Sequence, residues 1–151
     1  MEMLTRTRQH VEQDADIDLR MISPLTMAYM GDAIFELYVR DHLVTHHKIS
    51  VNHLHQKAIA YVKAASQCKI VHELEDFLTE EEKSFVRRGR NQKTTAPKNS
   101  DPSEYRYATG FEALLGFLYY QNKTERMLAI MKQGLTILDR NRKGETTYET
   151  R

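Results

Sequence analysis

Residues Thr26–Leu43 read TMAYMGDAIFELYVRDHL. Apolar residues recur there at helical spacing, on more than one side, and a single glycine is followed at once by Asp32. Ser23-Pro24 just upstream is a helix opening, with Ser as N-cap and Pro at the first helical position. The helix runs from there to about His46, and its apolarity predicts a central place in the core. Asp32 is the anomaly. A carboxylate buried without a partner costs several kcal/mol, so such a residue calls for a partner, a metal or a raised pKa.

Outward from this stretch the periodicity stays helical, and no β-type alternation of useful length occurs. Ser50 or Asn52 opens a helix to about Tyr61, and another spans roughly Ala64–Asp76. Thr79 with Glu82 three residues on is a capping-box pattern, starting a helix to Arg88 that Gly89 should stop. Asp101-Pro102 repeats the cap-and-proline device for a helix to about Asn122. The last helix, from Thr124 to about Arg140, carries Met127, Ile130, Met131, Leu135 and Leu138 on one stripe. The expectation is an all-α domain of six or seven helices over residues 21–140. Residues 1–20 read as a polar N-terminal extension and 141–151 as a polar tail.

The 151 residues include 40% hydrophobic and 28% charged side chains, a globular balance. No apolar run is long enough to span a membrane, and the N-terminus lacks the apolar core of a secretory signal. One cysteine, Cys68, excludes an internal disulfide framework and fits a reducing compartment, so the expected location is cytoplasmic. The net charge of +1 conceals an asymmetry. Residues 71–82 carry six acids and no Lys or Arg, whereas residues 83–98 carry six bases and no acid. The basic block, with Gly89, Asn91, two threonines and Pro97, reads as a loop made for phosphates.

A second acid sits like Asp32. Glu112, in TGFEALLGFLYY, lies among Tyr105, Ala108, Leu115 and Tyr119 on its own helix face. Gly31 and Gly116 stand close by and would admit a neighbouring backbone. If the two helices cross here, Asp32 and Glu112 converge on one hard cation, for which all-oxygen ligands favour Mg²⁺. The alternative is that each acid caps a helix or pairs with an arginine such as Arg40 or Arg106. Glu36 is placed to pair with Arg40 four residues on. His42, His46, His47, His53 and His55 lack the cysteine or close acid that a zinc site needs and read as solvated. Tyr105, Tyr107, Tyr119 and Tyr120 read as core and interface residues.

The segment MAYMGDAIFELYV resembles the ribonuclease III signature, and FEALLGFLY resembles the second acidic motif of that catalytic domain. With the loop RRGRNQKTTAPKN, and over roughly residues 20–140, the chain is similar to mini-ribonuclease III, the short bacterial form without a double-stranded-RNA-binding domain. The resemblance implies an all-α homodimer that cleaves double-stranded RNA with Mg²⁺, for which Mn²⁺ can substitute. It makes Asp32 and Glu112 the metal-binding catalytic acids. Two further acids of the wider ribonuclease III pattern are replaced here by Ala28 and Thr109, as in the mini form. Arg87, Arg88, Arg90, Asn91, Lys93, Lys98 and Asn99 would contact RNA through its backbone and 2′-hydroxyls. The implied substrate is the precursor of large-subunit (23S) ribosomal RNA, and a ribosomal protein that presents it would be a further partner. The competing reading is a catalytically silent helical RNA-binding or assembly protein on the same domain.

Overall fold

The computed structural model describes residues 2–12 and 18–149. Its helices are α1 (Glu2–Glu12), α2 (Pro24–His46), α3 (Val51–Val62), α4 (Ala64–Glu73), α5 (Glu80–Arg90), α6 (Pro102–Tyr120) and α7 (Thr124–Glu149), with a 3₁₀ turn at Leu19–Met21. No strand occurs among the described residues, so the fold is all-α as expected. None of the described helices is long and apolar enough to cross a membrane.

The helix starts follow local chemistry. The Ser23 hydroxyl accepts the Thr26 N–H ahead of Pro24, and the Ser50 hydroxyl accepts that of His53. The Asp101 carboxylate takes the N–H groups of Ser103 and Glu104 ahead of Pro102. Each cap satisfies donors that a helix N-terminus otherwise leaves unpaired. At α5 the capping box is complete: the Thr79 hydroxyl accepts the Glu82 N–H at 3.1 Å, and Glu82 accepts the Thr79 N–H at 2.9 Å. Glu82 also receives Arg126 of α7 at 2.8 and 2.9 Å, and Arg126 donates to the Phe77 carbonyl as well. A buried carboxylate thereby fastens the start of α5 to α7.

Three expectations are corrected. The central helix is α6, not α2. From Ala108 to Tyr119, α6 is buried at every position but Glu112, and it packs against α2, α4, α5 and α7. Phe111 meets Phe35 of α2 edge to face at 5.2 Å. The apolar surplus of α2 lies outside, where Leu25, Tyr29, Leu37 and Val44 are exposed. Second, Gly89 does not stop α5. A Cβ there would stand 2.8 Å from that of Ala113 and 2.9 Å from the Gly110 Cα, so this glycine is a contact with α6, and the helix continues to Arg90. Third, α7 runs on to Glu149, past the expected end near Arg140.

The N-terminal segment contributes α1. Leu4 packs against the core, and the buried Arg8 guanidinium lies 4.8 Å from the centre of the Tyr120 ring. Of the stretches assigned to the extension and the tail, residues 1, 13–17, 150 and 151 lie outside the described residues.

Candidate active site

The crossing of α2 and α6 is set by two glycines that face each other's helix. A Cβ on Gly31 would overlap the Glu112 carbonyl, reaching 2.5 Å from its carbon. One on Gly116 would do the same to Met27, at 2.7 Å from the carbonyl carbon. Gly31 thus meets residue 112, and Gly116, four residues further along α6, meets residue 27, four residues back along α2. One helical turn of each backbone lies against the other, which only glycine permits. Each glycine costs its helix about 1 kcal/mol relative to alanine, so close approach is what it supplies.

That approach brings the acids together. Asp32 follows Gly31 directly, and its carboxylate lies within hydrogen-bonding reach of Glu112. Asp32 is exposed, contrary to what its apolar neighbours in sequence predict; Glu112 bears the burial. Burial, then the hydrogen bond and charge of Asp32, and the charge of Glu36, push the Glu112 carboxyl up to about 9. Glu36 is held by Arg40 at 3.2 Å, as its spacing predicts. Ala28 and Thr109, the positions that are acidic in the wider pattern, are buried, and the Thr109 hydroxyl donates to the Tyr105 carbonyl at 3.0 Å. Among the described residues no cluster of three or more His, Cys, Asp or Glu side chains forms a metal site. Two oxygen donors with no nitrogen or sulfur among them fit a hard divalent cation that keeps water and takes further ligands from substrate. The like charges that oppose ionisation of Glu112 are what such a cation would offset.

The basic residues gather elsewhere. A cleft of about 520 Å³ is lined by Arg90, Asn91 and Lys93, which the sequence singles out, and by Gln92, Thr94, Ser103, Arg106 and Tyr107. Ser103, Arg106 and Tyr107 precede Glu112 by nine, six and five residues, each more than about 100° around α6 at 3.6 residues per turn. The cleft therefore opens on the α5 side of α6, away from the acids. Arg87 and Arg88 stand exposed on the last turn of α5, not in a loop, and Lys98 and Asn99 are exposed beyond it. None of these four lines this cleft; Arg88 lies 4.9 Å from the Phe117 ring centre. Sequence reading missed Ser103, offered Arg106 only as a partner for the acids, and assigned Tyr107 to core or interface. Only the pairing of α5 with α6 brings these residues beside the basic segment. Of the histidines, His42 and His46 pair ring to ring at 4.6 Å, with no acid or thiol completing a zinc set among the described residues.

A helical domain with two carboxylates joined across its central crossing, and a cationic cleft on the same helix, has the makings of a metal-dependent nuclease. A family model, the ribonuclease III domain, matches residues 25–123. A mini-ribonuclease 3 from Symbiobacterium thermophilum is 45% identical over 120 residues, covering 79% of this chain and 92% of that one. The Staphylococcus aureus mini-ribonuclease 3 is 38% identical over 132 residues, covering 85% and 98%. A crystal structure of a Fusobacterium nucleatum protein superposes with a TM-score of 0.71 at 32% identity, covering 78% of this chain and 96% of that one. The chain belongs to the ribonuclease III family, in its mini-ribonuclease III group, and is a metal-dependent endoribonuclease.

Proposed function

We propose that this enzyme cleaves double-stranded RNA with Mg²⁺, as a homodimer in the cytoplasm, and that Asp32 and Glu112 are its metal-binding catalytic acids. The observation that carries the reading is the meeting of these carboxylates at the glycine-lined crossing. Bound there, Mg²⁺ would supply charge neutralisation at the scissile phosphate and a water activated toward hydroxide. The protein's own contribution is to hold two acids at one point of a rigid crossing and to keep Glu36 turned to Arg40. With Ala28 and Thr109 adding no carboxylate, the remaining ligands would have to come from the substrate phosphate and water.

The basic cleft and the exposed Arg87, Arg88, Lys98 and Asn99 would grip the RNA backbone, whose recognition in an A-form duplex depends on shape and 2′-hydroxyls. Dimerisation is supported by the exposed apolar side chains of Met21, in the 3₁₀ turn, and of Leu25 and Tyr29, which lead along the start of α2 toward Asp32. A second copy seated there would bring two acid pairs near one duplex, one for each strand. The substrate reading, 23S ribosomal RNA precursor with a ribosomal protein as its presenter, rests on the resemblance to mini-ribonuclease III. The test is cleavage of a plain RNA duplex with and without Mg²⁺ by the wild type and by Asp32→Asn. Cleavage should require Mg²⁺ and disappear in the variant while duplex binding persists. Equal cleavage by both proteins would remove Asp32 from the chemistry.

A further inference from the structure

Beside the basic cleft, and sharing Arg90 and Tyr107 with it, lies a second cleft of about 260 Å³ between the end of α4 and the middle of α5. Its apolar lining is Val71, Leu78 and Val86, all buried. The rings of His72 and Tyr107 stand against one another there, centroids 4.5 Å apart and tilted by 53°. Three cations, Lys83, Arg87 and Arg90, and one acid, Glu75, complete the lining. Lys83 is engaged by Glu80 at 3.4 Å, and the Arg90 guanidinium donates to the Tyr107 hydroxyl at 3.4 Å.

Each component has a counterpart in one kind of ligand. Aromatic rings with apolar walls accept the face of a nucleobase, and cations beside them accept its phosphate. The volume lies below the roughly 300–1,000 Å³ of pockets for larger ligands, which suits a single base. A base within a duplex is stacked and paired, so only an unpaired nucleotide can enter. Glu75 sets the orientation. A carboxylate repels phosphate but accepts from an exocyclic amine, which cytosine, adenine and guanine carry and uracil lacks. The phosphate then belongs at Arg90, where the two clefts meet, and the base beyond it toward Glu75.

We infer that this cleft seats one unpaired, amine-bearing nucleotide of an RNA whose adjoining duplex occupies the basic cleft. The inference rests on the double-stranded RNA reading above and adds to it a preference for duplexes interrupted by a bulge or ending in an unpaired nucleotide. It makes His72 and Glu75 specificity residues, although neither lines the basic cleft or belongs to the acid pair.

The experiment is equilibrium binding in a chelating buffer, where no cleavage occurs. A blunt RNA duplex is compared with the same duplex carrying one bulged cytidine or one bulged uridine. The wild type should bind the cytidine bulge about tenfold more tightly than the blunt duplex, the effect of about one stacked base, and more tightly than the uridine bulge. His72→Leu should remove the preference for bulged RNA, and Glu75→Ala the distinction between cytidine and uridine. Both variants should keep wild-type circular dichroism and bind the blunt duplex within about twofold of the wild type. Equal wild-type affinity for all three RNAs, or a bulge preference that survives His72→Leu, would overturn the inference and leave the double-stranded RNA reading standing. Failure to bind any of the duplexes would overturn both.

Discussion

Replacing Gly31 by alanine should do the opposite of what it does in an ordinary helix. In a helix interior this change gains about 1 kcal/mol. Here the new Cβ would stand 2.5 Å from the Glu112 carbonyl carbon and 2.9 Å from its Cα. Carbon atoms in contact prefer about 3.5–4.0 Å, and the carbonyl oxygen lies closer still, so α6 must retreat from α2 by at least about 1 Å. Overpacking costs about 1–3 kcal/mol, and the upper end applies because the obstacle is backbone, which cannot rotate away. Subtracting the propensity gain leaves a net loss of about 2 kcal/mol, or about 4–8 °C in Tm for a domain of this size. The retreat separates Asp32 from Glu112, and a misplacement of about 1 Å can lower catalysis about 100-fold. Gly134→Ala is the control: the three atoms nearest its Cβ would all be Ile70 side-chain carbons, the first at 3.1 Å, and these can yield. Thermal unfolding at one protein concentration and single-turnover cleavage of duplex RNA read both effects. A Gly31→Ala protein as stable as Gly134→Ala, with undiminished cleavage, would refute the reasoning.

The tie between α5 and α7 should be visible against pH. Burial alone raises the Glu82 carboxyl, but Arg126 and the Thr79 N–H together hold it below the ordinary 4.5. Its stabilising contribution is therefore complete above pH 4.5 and is lost as pH falls through the depressed value. Glu82→Gln should lower stability by about 3 kcal/mol at neutral pH, with the deficit shrinking in acid; urea unfolding at pH 7 and pH 3 measures it, and an equal deficit at both would remove the ion pair as its cause. In the basic cleft, Arg106→Ala should weaken duplex binding much as Lys93→Ala does, each reducing the slope of log K against log salt by about 0.7–0.9. Binding isotherms at several salt concentrations measure this, and an unchanged slope for Arg106→Ala would take that residue out of the RNA contact.

Local signals carried most of what could be read from the chain. The caps at Ser23, Ser50, Thr79 and Asp101 act within three residues of the helix they start, so sequence alone places those starts. Gly89 misled because a glycine that ends a helix and one that admits another helix look alike until the neighbour, here Gly110, is known. Gly31 and Gly116 marked close approach on the two helices that carry acids, which left convergence of Asp32 and Glu112 open beside capping or pairing with an arginine; the resemblance of the two motifs is what favoured the pair. That Asp32 is exposed and Glu112 buried was not legible, since apolar surplus on α2 faces outward while α6 takes the centre. Arg126 is separated from Glu82 by 44 residues, and no local pattern announces such a pair.

The change of sign between residues 82 and 83 falls inside a single helix. Glu80, Glu81 and Glu82 occupy the first turn of α5, and Arg87, Arg88 and Arg90 the last. Both groups agree with the peptide dipole, so they stabilise the helix where they stand. The three acids are each paired with a cation, Glu80 with Lys83, Glu81 with Lys123 and Glu82 with Arg126. Arg87 and Arg88 stand exposed, so the uncompensated end of this rod, about 16 Å long at 1.5 Å per residue, is the positive one. Its field extends about 10 Å into solution at 0.1 M salt, which is far enough to act on a polyanion before any contact forms. An approaching nucleic acid would be drawn to the arginine end of α5 rather than to its start, arriving with its place on the domain already chosen.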